Sequence, residues 1–330
     1  MRRIWVAGAA AVALFGGLYL INASWLAPAR YGKPALLANR GVAQHFSHVG
    51  LTNSSCTARM IFPPTHDYLE NTIRSIRETF GLGADIVELQ IHPTTDGQFA
   101  VFHDWTLECR TNGHGVTREQ SMAYLKTLDI GYGYTADGGK TYPFRGKGVG
   151  QMPSLDEVFA AFPGKRFVLM IKSNSASEGE KLAARLARLS VGERRRILIF
   201  SGGPRPAAVI RTRLPDMRVL DAATLKSCLL GYAALGWAGY VPASCHHSVI
   251  LVPANYTWLL PGWPNRFLER MDKVDAPVFL AGPLQEGDAL SGIDTPEQLR
   301  TLPPGFTGGI WTYNVEAIAP LLRDRSVISR

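Results

Sequence analysis

The sequence predicts an α/β fold: a TIM-type (β/α)8 barrel that carries an inserted surface segment and follows an N-terminal membrane helix. Two observations predict the barrel. Short apolar runs bounded by turn residues alternate with helix-length amphipathic stretches along most of the chain, the rhythm of a parallel sheet wrapped by helices. Polar residues also gather just after several of those runs, at Asn39-Arg40, Glu88/Gln90/His92, His103-Asp104, Lys172 and Thr312. Many strand ends converging on one site is what the C-terminal face of a barrel provides. No G-x-G-x-x-G follows a strand, so a doubly wound dinucleotide-binding sheet has no support. With 330 residues, 46% hydrophobic and 19% charged, the chain can build one large core, and disorder is excluded. A net charge of +8 favours anionic partners. Nucleic acid is not expected among them, because no basic stripe is interleaved with aromatic residues.

Arg2 and Arg3 precede an uncharged run from Ile4 to Ile21, just long enough to cross a bilayer. Nothing polar interrupts it to give a solvent face, so residues 1–29 are expected to be a signal anchor, or a signal peptide cleaved near Ala27-Pro28-Ala29. Either way residues 30–330, the barrel domain, are expected outside the cytoplasm. Four cysteines in such a chain suit two disulfides, and proximity pairs Cys228 with Cys245 and leaves Cys56 for Cys109.

The first barrel strand is expected within Pro34–Gly41, then, after a long polar segment, a helix running from Glu70 through Ile73, Ile76 and Phe80 to the Gly81–Gly83 region. Asp85–His92 and Phe99–Phe102 read as strands joined by an Asp96-Gly97 turn. The alternation of Glu88, Gln90 and His92 would place all three on one face. Residues of about 106–151, rich in Gly and Tyr, read as a surface excursion. Pro153-Ser154 opens a helix to Phe162, followed by a strand at Phe167–Ile171 and a helix at Glu178–Leu189. Strands are then expected at Ile197–Phe200, Met217–Leu220, Val278–Leu280 and Gly309–Thr312, and a last helix at Val315–Leu322.

Ala38-Asn39-Arg40-Gly41, Glu70-Asn71-Thr72, Ile86-Val87-Glu88-Leu89-Gln90, Thr95-Asp96-Gly97, Val101-Phe102-His103-Asp104, Arg110-Thr111-Asn112-Gly113, Met152-Pro153-Ser154-Leu155 and Ile171-Lys172 follow one another in an order and spacing that resemble the glycerophosphodiester phosphodiesterase family. The resemblance is close from Leu36 to Lys172 and thin beyond. It implies a TIM barrel that cleaves glycerophosphodiesters to sn-glycerol 3-phosphate and an alcohol, usually with Ca²⁺ or Mg²⁺. In the family pattern a His pairs with the His of the His-Asp motif for proton transfer. Here those two catalytic positions are held by Asn39 and His103. The metal positions hold Glu88, Gln90 and Met170 where the pattern has three carboxylates. One acid, an amide and a thioether are a poor set for a hard divalent cation.

Arg40 offers a charged fork for phosphate, Lys172 a point charge, Glu70 a carboxylate to orient Arg40 or bind glycerol hydroxyls, and Trp311 a wall for the alcohol pocket. His45, His48, His66 and His92 are the candidates to restore a proton shuttle or a ligand. Three functions fit these residues. The first is an exported phosphoric diester hydrolase acting on glycerophosphodiesters or related lipid headgroup diesters. The second is a degenerate barrel that binds such a group without turnover. The third is the intramolecular transphosphorylation of sphingomyelinase D-like enzymes.

Overall fold

The computed structural model describes residues 2–328 apart from 49, 53–54 and 285–290. Eight parallel strands form the barrel: β1 (Ala35–Asn39), β2 (Ile86–Pro93), β4 (Arg166–Ile171), β5 (Ile197–Ser201), β6 (Arg218–Asp221), β7 (Ile250–Pro253), β8 (Val278–Ala281) and β9 (Gly309–Thr312). Their order is β6-β5-β4-β2-β1-β9-β8-β7. The remaining strand, β3 (Phe99–Val101), pairs antiparallel with the end of β2. No ladder joins β6 to β7 among the described residues. There the seam is drawn together by the Val219 N–H donating to the His247 carbonyl at 3.2 Å and the Ser248 hydroxyl donating to the Val219 carbonyl at 3.0 Å.

Strand alternation sorts the side chains. In β4, Phe167, Leu169 and Ile171 pack under the helices, while Val168 and Met170 turn inward. The inward residues of the other strands, including Leu37, Ile86, Leu198, Leu251 and Phe279, fill the barrel as a packed core and leave its C-terminal mouth to polar groups. Local signals set the helix starts. Ser154 and Glu157 form a capping box for Leu155–Ala161, and Thr72 accepts the Ser75 N–H at 3.1 Å to start Ile73–Leu82, which ends on left-handed Gly83.

Several expectations are corrected. Glu70 and Asn71 lie before the helix, not in it, because Asn71 has φ +60°. The expected Asp96-Gly97 turn does join β2 and β3, with Gly97 left-handed, but β3 is the antiparallel return arm of that hairpin, so His103 follows the hairpin and not a barrel stave. β7 was not foreseen. Its run of four residues lies between irregular 3-10 segments, Ala243–Cys245 and Ala254–Leu259, which break the strand–helix rhythm. The 106–151 segment buries Leu107, Met122, Leu128, Ile130, Tyr134 and Phe144 in a core that it shares with Ala58, Ile61 and Leu69 of the loop after β1 and with Ala100 and Phe102. The Cys56–Cys109 disulfide ties it to the long loop after β1, and Cys228 bonds Cys245.

Arg2–Asn22 forms one helix, and its Trp5–Asn22 stretch is apolar and long enough to cross a membrane, with none of it buried in the protein. Met1 lies outside the described residues.

Candidate active site

Arg40 is placed by a strained turn at the end of β1. Its φ of +64° is unusual for a side-chain-bearing residue, and two backbone bonds hold it: Arg40 N–H to the Glu88 carbonyl at 2.9 Å and Asn71 N–H to the Arg40 carbonyl at 2.8 Å. Gly41 beside it is also left-handed, and a Cβ there would collide with Ser75 Oγ. The β2–β3 hairpin then brings His103 back to the barrel mouth, fixed by the Phe102 N–H donating to the Gln90 carbonyl at 3.0 Å.

At the mouth, Arg40 Nη2 lies 2.8 Å and Lys172 Nζ 3.1 Å from His103 Nε2. Guanidinium has only donors, so Nε2 accepts. The imidazole proton therefore sits on Nδ1 and is donated to Asp104 Oδ1 at 2.6 Å. Burial, then the charges of Arg40 and Lys172, drive the His103 pKa well below its ordinary value, so the ring is a neutral base. Burial followed by repulsion from Arg40 brings Lys172 down to about 8. Lys172 also donates to the His103 carbonyl at 3.0 Å.

Behind this group lies a buried ion network in which the sequence reading missed Arg110, having named only Glu70 as a candidate to orient Arg40. Glu70 receives Arg40 Nη1 at 3.3 Å and Arg110 Nη2 at 3.2 Å, and Arg110 Nη1 reaches Asp104 Oδ2 at 3.2 Å. Arg110 is 1% exposed, and its Nη2 donates to Thr57 Oγ1 at 2.7 Å. Burial opposes ionisation of Glu70, but Arg110 and Arg40 outweigh it and hold the carboxyl below its usual range. Arg110 belongs to the Arg-Thr-Asn-Gly stretch already noted, so the signal for it was present. Its contacts were not readable, because they cross from the inserted segment to the barrel.

Asn39, Gln90 and Glu88 form a floor of hydrogen bonds. Gln90 Nε2 donates to Asn39 Oδ1 and to Glu88 Oε1, both at 3.2 Å, and Gln90 Oε1 accepts from Asn71 Nδ2 at 3.0 Å. Trp311 Nε1 donates to Glu88 Oε2 at 2.8 Å. Trp311 thus lines the cavity and also binds the acid. Asn39 hydrogen-bonds Tyr313, whose ring lies 4.9 Å from that of Trp311 and 5.9 Å from the Arg40 guanidinium.

The resulting cavity, about 240 Å³, is lined by Asn39, Arg40, Glu88, Gln90, His103 and Lys172 together with Met170, Trp311 and Tyr313. His48 also lines it, stacked near Tyr313. His92 does not join it. Its ring is buried against Trp105, and burial lowers its pKa to about 4, with a smaller push from Lys172. His45 and His66 lie elsewhere, each with Nε2 3.3 Å from Glu316 Oε2. Tyr68 N–H donates to His66 Nδ1 at 3.2 Å, so neutral His66 keeps its proton on Nε2 and gives it to Glu316. The trio is a hydrogen-bonded clasp between the mouth loop and the last helix. Gly202 packs against the Lys172 carbonyl and Gly309 under the Phe279 ring, so these glycines serve close packing.

Residues 64–225 match the model of the glycerophosphoryl diester phosphodiesterase family. The chain belongs to this family. Among curated relatives, the glycerophosphodiester phosphodiesterase of Caldanaerobacter subterraneus is 36% identical over 106 residues, 32% of this chain and 40% of that one. The Bacillus subtilis enzyme is 35% identical over 126 residues, 36% of this chain and 41% of that one. The match therefore spans about two fifths of these relatives' length. The fold is shared with the glycerophosphoryl diester phosphodiesterase domain of an uncharacterized Mycobacterium tuberculosis protein. That comparison has a TM-score of 0.60 and 16% identity, and covers 89% of this chain and all of that one.

Glycerophosphoryl diester phosphodiesterases typically use a divalent metal. The donors at this barrel mouth do not fit one. Glu88 is the sole carboxylate of the floor, its oxygens already accept N–H groups from Trp311 and Gln90, and the Gln90 carbonyl oxygen is taken by Asn71. Met170 adds a thioether, which hard cations avoid, and the nearby charges are the cations Arg40 and Lys172.

Burial raises the Glu88 pKa to about 7, although the Trp311 N–H and the Arg40 charge pull it the other way. A raised acid binds its proton more tightly folded than unfolded, so its linkage term falls as pH climbs from the unfolded pKa of about 4.5 to the folded value. Across that window Glu88 is expected to remove about 3 kcal/mol of stability. Denaturant titrations at stepped pH should show this decline in the parent chain and a flatter profile in Glu88→Gln. Equal slopes in the two would refute the burial argument.

Proposed function

We propose that the chain is an exported, membrane-anchored phosphoric diester hydrolase acting on glycerophosphodiesters or related lipid headgroup diesters. Residues 1–29 form the anchor, and residues 30–330 the barrel with its 106–151 insertion. The observation that carries this reading is the neutral His103, with Asp104 on Nδ1 and two cations converging on Nε2. A phosphodiester entering the cavity takes Arg40 and Lys172 as partners for its oxygens and frees Nε2. His103 then removes a proton from the attacking water as its oxygen bonds to phosphorus, and returns it to the leaving alcohol oxygen as that P–O bond breaks. Arg40, held by Glu70, and Lys172 offset the charge that grows on the phosphoryl oxygens, and Asn39 donates a hydrogen bond to one of them. Trp311 borders the alcohol. Glu88 and Gln90 stand at the metal positions implied by the resemblance and act as a hydrogen-bonded floor, so no step needs a cation.

The test is incubation of the purified chain with glycerophosphocholine, with and without EDTA. Release of glycerol 3-phosphate that survives EDTA supports the reading, and no release with or without added Ca²⁺ or Mg²⁺ rejects it. A cyclic phosphate seen by phosphorus NMR would instead indicate the transphosphorylation chemistry.

A second reading, binding without turnover, is favoured by the Asn39–Gln90–Asn71 amide chain, which occupies the space where proton-transfer and metal groups would otherwise act. It expects calorimetric binding of glycerophosphocholine with no product. Under it, Asn39→His with Gln90→Asp and Met170→Glu gains divalent-dependent turnover. A folded triple variant that remains inert and binds no metal counts against it.

A further inference from the structure

Between Asp221 and Arg266 the chain carries one formal charge, Lys226, in 44 residues. This stretch builds the helix Ala222–Leu235, β7 and the 3-10 segment Ala254–Leu259, and it is not hidden. Leu230 is 59% exposed, Trp258 78%, and Leu235, Trp237, Tyr240 and Tyr256 are also exposed. A helix apolar on its outer face as well as its inner one has not met its partner.

Between that helix and the 3-10 segment lies a groove of about 350 Å³, walled by Leu225, Leu229, Ala233, Tyr256, Leu259 and Leu260. Leu251 borders both this groove and the polar cavity, at the β6–β7 seam where no ladder is formed among the described residues. On the other side, Leu260 also borders a hollow lined by Tyr19, Trp25 and Trp258, where the membrane-length helix meets the barrel. Asn22 at its end donates to the Trp237 carbonyl at 2.6 Å, and Arg270 donates to the Ile21 carbonyl at 3.2 Å. The apolar helix, the exposed aromatic residues and the groove are therefore continuous, and aromatic side chains of this kind favour the bilayer interface.

We propose that this face rests in the bilayer interface and that its groove receives the acyl chain of a membrane glycerophospholipid whose headgroup diester reaches the polar cavity. The headgroup half rests on the hydrolase reading above. The acyl half rests on the surface alone. The chain would leave the bilayer beside Trp258, lie against Leu229 and Ala233, and end its glycerol portion near Leu251.

The full chain is placed in phosphatidylcholine–phosphatidylglycerol vesicles that contain a lysophosphatidylcholine with a diazirine at the end of its acyl chain, and is irradiated. The expected cross-links fall on peptides of 222–260 in addition to the 2–22 helix. Ala233→Trp fills the groove and should cut labelling of 222–260 about tenfold, the loss of burial of one or two methylenes, and leave 2–22 unchanged. Leu230→Glu, at an exposed position that folding tolerates, should weaken the same labelling. Cross-links confined to 2–22, or labelling indifferent to both variants, would overturn the proposal. Glycerophosphocholine hydrolysis is measured alongside. Its absence with labelling intact would reject the hydrolase reading and leave the docking face standing.

Discussion

His103→Asn is expected to lower glycerophosphodiester turnover by ~10²–10⁴-fold with little change in KM. Asparagine can keep a hydrogen bond to Asp104, but it has no group that takes and returns a proton near neutral pH. Asn39 cannot substitute for the same reason, and His92, the other buried imidazole nearby, is turned toward Trp105 and away from the cavity. Because the low pKa of His103 comes from burial and from Arg40, Arg40→Ala should shift the acid limb of the rate profile upward as well as weaken binding. The profile separates loss of a positioned charge from simple misfolding. Measured release of glycerol 3-phosphate by His103→Asn at the parental rate would remove His103 from the chemistry.

Arg110→Met carries the second large effect. The guanidinium is 2% exposed at its side chain and bridges Glu70 and Asp104 while it donates to Thr57. Removing it leaves two carboxylates buried beside each other with Arg40 as the remaining arginine partner. Breaking one side of a buried ion network typically costs about 3–5 kcal/mol. In a chain of 330 residues that is a drop in Tm of roughly 4–7 °C. Glu70→Gln in the same background should recover part of the loss, because the uncompensated charge is then gone. Calorimetry of the single and double variants decides this, and additive losses would show that Arg110 acts only by filling space.

The barrel was legible because its rule is local. Alternating inward and outward residues, as in Phe167–Ile171, and turn residues at each end are written in neighbouring positions. Seven of the eight staves were foreseen in this way. Ile250–Pro253 was not, since it lacks a flanking helix to mark it. At the site, the strand-end residues Asn39, Arg40, Glu88, Gln90 and Lys172 line one cavity with His103 and Trp311, whereas His92 and Thr312 of the same strand-end set do not. What escaped was everything set by contact between distant segments. Arg110 reaches in from the insertion, and Asn71 completes the amide chain. His92 shows the opposite failure. Strand alternation gave its side, but the bulk of Trp105 determined what it touches.

The bond between Cys56 and Cys109 has a consequence for how the protein is made. It clamps the loop that walls the cavity at Thr57 to the segment that delivers Arg110. Synthesis in a thiol-rich host cytosol leaves both sulfurs reduced, so the staves assemble while this corner frays. Such a preparation would pass as folded by circular dichroism and fail as a catalyst, so an oxidising secretory route is the one to choose before an inactive sample is taken to indicate a dead enzyme.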